Sequence, residues 1–183
     1  MKHFWDAGSG GFFQTADDAP DMPGAVIRRK SLTDGVLPSA NSVGLMVLLK
    51  LNRITGNVEY EKKAEAILRL YPPDAAANAQ SFSFLLSAAD FSAGPSYEVV
   101  IAGDPEAQDT RAMLRALRQE FLPSAVVLLR PTNVDSPEII QVAPFTAAQG
   151  AVKGKATAYV CRDFACNLPT NDIEAMLGAL GAK

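Results

Sequence analysis

Residues 97–129, YEVVIAGDPEAQDTRAMLRALRQEFLPSAVVLL, decide the fold of this chain. Glu98–Ala102 reads as a near-continuous apolar run ending at Gly103-Asp104-Pro105, the pattern of a strand buried on both faces. Met113, Leu114, Leu117 and Phe121 then recur at helical spacing, and Val126–Leu129 is a second short apolar run. Strand, helix and strand in this order predict a βαβ unit with parallel strands. Its first turn stands where open α/β sheets bind ligands. The glycines that cradle phosphates are missing, with neither GxGxxG nor GxxxxGK[ST] present, so the favoured reading is a tight turn with Asp104 capping the helix.

Upstream of this unit, residues 41–93 read as helical. Val43, Leu45, Met46, Leu48, Leu49 and Leu51 are apolar almost all round, which predicts a helix buried on several sides, capped by Ser39 or Asn41 and stopped by Gly56. A second helix starts near Asn57 and turns Ala64, Ile67, Leu68 and Tyr71 to one face, with Glu59, Glu61, Lys62, Lys63 and Glu65 on another. Pro72 and Pro73 end it, and a third carries Phe82, Leu85, Leu86 and Ala89 up to Gly94-Pro95. Short loops between them predict antiparallel helical hairpins. Residues 2–38 are rich in Gly, Asp and Pro; GSGG at 8–11 predicts a hairpin between HFWD and GFFQT, and Val26–Ile27 is a further short apolar stretch. Downstream, Ile139–Val142 is read as a short strand, Ala158–Cys161 as a strand and Asp172–Leu180 as an amphipathic helix. The expectation is an α+β chain: helical hairpins over residues 1–95, then a small α/β segment over 96–183.

The 183 residues are 48% hydrophobic and 20% charged with a net charge of −3, which suits an ordinary folded chain. No basic surface is available to neutralise phosphates, so nucleic acid is not expected as a partner. No apolar run reaches the roughly 18 residues that a membrane span needs. The N-terminus MKHFWDAGSGGFF lacks a charged segment followed by an apolar core, so no secretory signal is expected and the cytoplasm is the default setting. Two cysteines there are expected to be reduced thiols.

Cys161 and Cys166 form C-x4-C. Redox dithiols and zinc knuckles favour C-x2-C, and no second Cys or His pair completes a metal site, so neither zinc nor another cofactor is expected. Packing as small hydrophobes is favoured, with a reversible disulfide and then a catalytic role as the alternatives. In the N-terminal region, Asp6 and Asp17 with Asp18 stand near Trp5, Phe12 and Phe13. Rings beside carboxylates suit a sugar-binding cleft, against turn capping and hairpin packing as the plainer reading. Ser39, Asn41 and Ser42 open the buried helix, either as caps or as donors of N–H groups to a ligand. His3, the single histidine, is read as a solvated or packing residue, because no other histidine exists for Ser/His/Asp catalysis.

The succession HFWDAGSGGFFQTADDA, DGVLPSANSVGLMVLLKLNRITGN, YEVVIAGDPEAQDTRAMLRALRQEFLP and ATAYVCRDFACNLPT resembles, in order and over essentially the whole chain, the C-terminal portion of thioredoxin-domain-containing proteins related to spermatogenesis-associated protein 20. The resemblance implies an N-terminal thioredoxin-like domain, a helical domain similar to the (α/α)6 toroids of N-acylglucosamine 2-epimerases and six-hairpin glycosidases, and a small α/β segment. Residues 1–95 then match the end of the toroid. The implied site is a carbohydrate-type cleft lined by Trp5, Asp6, Phe12, Phe13, Asp17, Ser39 and Asn41, incomplete in this chain. The implied partners are the upstream toroid and thioredoxin-like region, or a second copy docking on the helix at residues 43–54, which two partner helices and a small sheet are not expected to cover on all sides. One alternative is a redox-linked module in which Cys161 and Cys166 exchange a disulfide with the thioredoxin-like part, and another is a non-catalytic assembly module. The sequence departs from the family at Ala40, where PSGNSV is usual, and one histidine does not supply the set that a sugar epimerase spreads around its ring.

Overall fold

The computed structural model describes residues 1–19 and 28–181; the Val26–Ile27 stretch lies outside them. The chain is α+β, and its residues gather into two compact units: Met1–Asn52 with Asn57–Ala93, and Arg53–Gly56 with Gly94–Lys183.

In the first unit, α1 (Ala40–Thr55) starts behind Ser39, whose hydroxyl accepts from the Ser42 N–H at 3.0 Å, the third helical N–H that an N-cap satisfies. Gly56 ends the helix with φ +69°, a left-handed conformation that glycine adopts without a Cβ penalty. Asn57 caps α2 (Val58–Leu68) by accepting from the Glu59 N–H. After Pro72-Pro73, a 3-10 stretch (Ala75–Phe82) leads into α3 (Ser83–Ala93). Leu45, Leu48, Ala64, Ile67, Phe82, Leu85 and Ala88 form the shared core, and each fully buried Leu or Ile contributes roughly 1.5–3 kcal/mol. The face of α1 that carries Val43 and Val47 stays exposed.

The second unit is built on a four-stranded mixed sheet in the order β2-β1-β3-β4. β1 (Tyr97–Gly103) and β2 (Ala125–Pro131) are parallel and joined by α4 (Gln108–Gln119), the predicted βαβ unit. β3 (Thr157–Arg162) runs antiparallel to β1, and β4 (Ala165–Cys166) antiparallel to β3. Alternation along the strands sends Val99, Ile101, Ala158 and Val160 to one face, where Met113 and Leu117 of α4 and Met176 and Leu180 of α6 (Ile173–Ala179) and its C-cap cover them. The opposite face presents Val100 and Leu128 to Ile54, Ile139, Ala143 and Phe145.

Three local expectations change. Ile139–Val142 is a helical turn, α5, instead of a strand: Pro137 is pre-set for a helical start, Ile140 N–H bonds its carbonyl, and Ala143 N–H bonds Ile139 C=O at 2.7 Å. A four-residue apolar run fits either element, and here the flanking prolines decide. Phe121 does not join the buried face of α4, because the chain turns extended at Glu120 and leaves the ring 89% exposed. Asp104 does not cap α4: its carboxylate accepts from Glu106 N–H inside the turn, and Ala107 occupies the cap position.

Candidate functional site

Of the expected cleft residues of the first unit, Trp5 and Asn41 each meet Phe12, and the polar atoms of Asp6, Asp17 and Ser39 are engaged with residues outside the expected set. The N-terminal hairpin forms through the Trp5–Phe12 bridge, with Asp6 N–H to Gly11 C=O at 2.9 Å and Phe13 N–H to Phe4 C=O at 2.8 Å. Asn41 grips it from α1. Its side-chain oxygen accepts from Phe12 N–H at 2.6 Å, and its amide donates to Phe12 C=O and Ser31 C=O, each at 2.9 Å. The side chain thus pairs with the hairpin backbone as another strand would. Ser39 is buried among Ser42 and Tyr71, with hydroxyl contacts of 2.9 and 3.4 Å.

Asp6 is an acceptor inside its own turn. It takes hydrogen bonds from Lys30 Nζ, Ser9 Oγ and the Gly8 and Ser9 N–H groups, which hold its carboxyl well below the usual carboxylate range. A carboxylate so saturated is poorly suited to moving protons. Asp17 is bonded by His3 Nδ1 at 2.8 Å, which lowers its pKa, and Asp18 lies 3.3 Å from the same nitrogen. Among the described residues, the ligand atoms of His3, Asp17 and Asp18 come within 4.8 Å of one another, near enough for a metal ion; the imidazole already spans both acids, which accounts for the grouping without one.

The aromatic faces are also in use. Phe12 meets Trp5 edge to face at 5.1 Å, Lys63 Nζ sits 5.0 Å from the Trp5 ring, and Phe13 lies beneath Arg28 and Lys30 at 4.1 and 5.0 Å. What remains open is a cavity of about 560 Å³ lined by Met1, Phe4, Phe12, Phe13, Gln14 and Ala40. Of the expected residues, Phe12 and Phe13 reach it.

The second unit holds the other expected pair. Cys161 and Cys166 are register partners across β3 and β4 and are joined as a disulfide, where reduced thiols were expected. Cys161 is 1% exposed, whereas Cys166 lies on the exposed outer strand. The two-residue connection, Asp163-Phe164, has φ +50° and +64°, the doubly left-handed turn that matches strand twist and ordinarily calls for Asn-Gly. Non-glycine residues hold this conformation through their anchors: Asp163 N–H to Ser96 C=O at 3.0 Å, Asp163 to Arg53 Nη2 at 3.0 Å, and the Arg53 guanidinium 5.0 Å from the Phe164 ring.

The remaining anchor is Glu98, at 0% exposure in the middle of the sheet. One carboxylate oxygen accepts from Arg53 Nη1 at 3.1 Å and the other from Phe164 N–H at 3.0 Å. Burial pushes its pKa up, against the lowering effect of the Phe164 N–H and Arg53. In the sequence Glu98 falls inside an apolar run, and nothing local marks a role for Arg53 or Asp163. The available signal was the charged residue itself: a Glu within YEVVIAG demands a buried partner.

A mixed-sheet α+β chain with a disulfide-closed edge hairpin held by a buried Arg–Glu pair is the class defined by these features. Its relatives are spermatogenesis-associated protein 20 of Rattus norvegicus and of Mus musculus, each 30% identical over 172 residues, and of Homo sapiens, 30% identical over 171. The chain belongs to the spermatogenesis-associated protein 20 family: the match covers 93% of it and 21% of each relative, so it spans about a fifth of their length. No family model matches the chain, and no solved structure does. No helix among the described residues is long and apolar enough to cross a membrane.

Proposed function

We propose that the second unit works as a thiol–disulfide exchange module. The observation that carries this reading is the asymmetry of the pair, with Cys166 on the exposed outer strand and Cys161 buried beneath it. A partner thiolate attacks Cys166 Sγ, the Cys161–Cys166 bond breaks, and Cys161 leaves with the electron pair. A second thiolate of the partner then attacks the mixed disulfide and releases Cys166, so a dithiol is oxidised to a disulfide as the chain's disulfide is reduced. Phe164 and Leu168, 47% and 92% exposed, stand two residues either side of Cys166 in the sequence and offer apolar contact to a protein dithiol. The thioredoxin-like part that the family resemblance implies is one such dithiol. The test equilibrates the native chain in glutathione redox buffers and counts alkylated thiols by mass. Exchange is expected with a midpoint between roughly −220 and −320 mV. A disulfide that opens only on unfolding would reduce the bond to a structural staple.

A second reading concerns the cavity of about 560 Å³ in the first unit. Its rings and the single amide of Gln14 suit the C–H face of a small ligand, a sugar ring included, while neither Asp6 nor Asp17 lines it. Calorimetric titration with amino sugars and oligosaccharides tests this, and a Gln14→Ala variant should weaken any binding seen. Heats indistinguishable from dilution across the set would remove the reading.

A further inference from the structure

We propose that Glu98 exchanges a proton with the Cys161 sulfur during disulfide opening and closure, through a row in which Glu98, Cys161 and Cys166 stand opposite one another on β1, β3 and β4. The inference rests on the exchange reading above. The row follows from register alone: Glu98 pairs with Cys161, and Cys161 with Cys166. Directly opposed residues share a sheet face with Cβ atoms about 4.5–5.5 Å apart. That face is the one that Val100 and Tyr159 also point to, two residues along from Glu98 and Cys161.

Chemistry makes the neighbour consequential. A Cys161 thiolate released into a buried position would stand beside the Glu98 carboxylate, and two anions there would disfavour each other. In reduction, at a pH where Glu98 holds its proton, the partner thiolate bonds Cys166 Sγ, the electron pair of the broken bond goes to Cys161 Sγ, and that sulfur takes the proton from the Glu98 carboxyl. Glu98 is left as a carboxylate facing Arg53. In closure the proton returns to Glu98, Cys161 Sγ attacks Cys166 Sγ, and the partner leaves as its thiolate. The charged groups facing Glu98 are Arg53 from the last turn of α1 and Asp163 from the β3–β4 turn; its β2 register neighbour Val126 carries no charge. Phe164 N–H, the second donor to Glu98, belongs to the hairpin that the disulfide closes, so opening the bond and changing the charge on Glu98 act on the same turn.

The experiment follows reduction of the full chain by dithiothreitol, quenched by acid alkylation, from pH 5.5 to 9, with rates divided by the thiolate concentration of the reagent. Wild type should show a bend in this profile from a group of the protein. Glu98→Gln should lose the bend and slow by about 10-fold or more, as loss of a placed acid–base group does. Glu98→Asp should restore a bend. Identical normalised profiles for wild type and Glu98→Gln would overturn the role of Glu98 while leaving exchange intact. No reduction of folded wild type would remove both. Because Glu98→Gln can disturb the sheet, the carboxyl 13C titration of Glu98 in the wild-type disulfide and dithiol forms gives a second reading. The two curves should separate along the pH axis, and coincident curves would overturn the proposal.

Discussion

Replacing Arg53 with Met keeps a long apolar stem and deletes the cation that faces Glu98. The Arg53 side chain is 17% exposed and that of Glu98 only 1%, so the carboxylate would remain in the sheet with Phe164 N–H still donating to it. Removing one partner of a buried pair costs about 3–5 kcal/mol, most of it the penalty on the charge left behind. The lost contact to Asp163, half exposed at 51%, adds less than about 1 kcal/mol. With a urea slope of about 2 kcal/mol per molar, the midpoint should fall by roughly 1.5–2.5 M at pH 8. The pH dependence carries a definite sign. Burial raises the folded-state pKa of Glu98 above its ordinary value of 4.5, so its contribution to stability is full below that value and is lost as pH rises through the folded pKa. Arg53→Met therefore costs most at pH 8 and little near pH 4, where Glu98 is protonated in both states. Adding Glu98→Gln to Arg53→Met should recover most of the loss at pH 8. Far-UV circular dichroism in urea is sufficient to measure the wild type and both variants. Equal midpoints at pH 8 for the single and double variants would refute the assignment of Arg53 as the counter-charge of Glu98.

Asn41→Ala should lower stability by about 2–4 kcal/mol, since it strands the Phe12 N–H and C=O and a Ser31 carbonyl, and should shift Trp5 fluorescence as the hairpin loosens. Gly44→Ala places a Cβ 2.6 Å from the Phe12 ring, so a substitution that gains about 1 kcal/mol in an open helix should lose about 1–3 kcal/mol by overpacking, read in the same urea melt. Asp34 is buried, which raises its pKa, but N–H groups of Ser39, Leu85 and Phe84 and the Ser42 hydroxyl lower it further, for a net depression. Its stabilisation is thus present above the ordinary value of 3.8 and is lost as pH falls through the depressed one. Asp34→Asn should cost about 1–3 kcal/mol at pH 7 and flatten the acid limb of the pH–stability curve.

Much of the architecture was legible because local chemistry and tertiary packing agree. The βαβ unit announces itself through two apolar runs around a 3.6-period segment, and Gly56 and Asn57 punctuate the helices where the structure does, whereas α2 ends at Leu68, short of Tyr71 and the Pro72-Pro73 pair. Ile139–Val142 failed because four apolar residues carry no period, so prolines outside the window had to decide. The roles of Asn41, Asp34 and Glu98 lay deeper. Each bonds a backbone group at least 29 residues away, and no local pattern encodes a partner at that distance. Asn41 reads as a cap and Glu98 as a flaw in a strand until their neighbours are in place.

The Asp163-Phe164 turn bears on the order in which the molecule assembles. Two left-handed residues with side chains have little reason to adopt that shape in an isolated hairpin. Their supports come from Ser96, Glu98 and Arg53, between 66 and 110 residues earlier in the chain. Contacts of such long reach carry the full loop-closure cost before they contribute anything. The turn is therefore a late-closing element, shaped only once β1 and the end of α1 are in position. The two cysteines are close neighbours in sequence, yet their meeting across β3 and β4 reports that distant parts of the chain have already arrived.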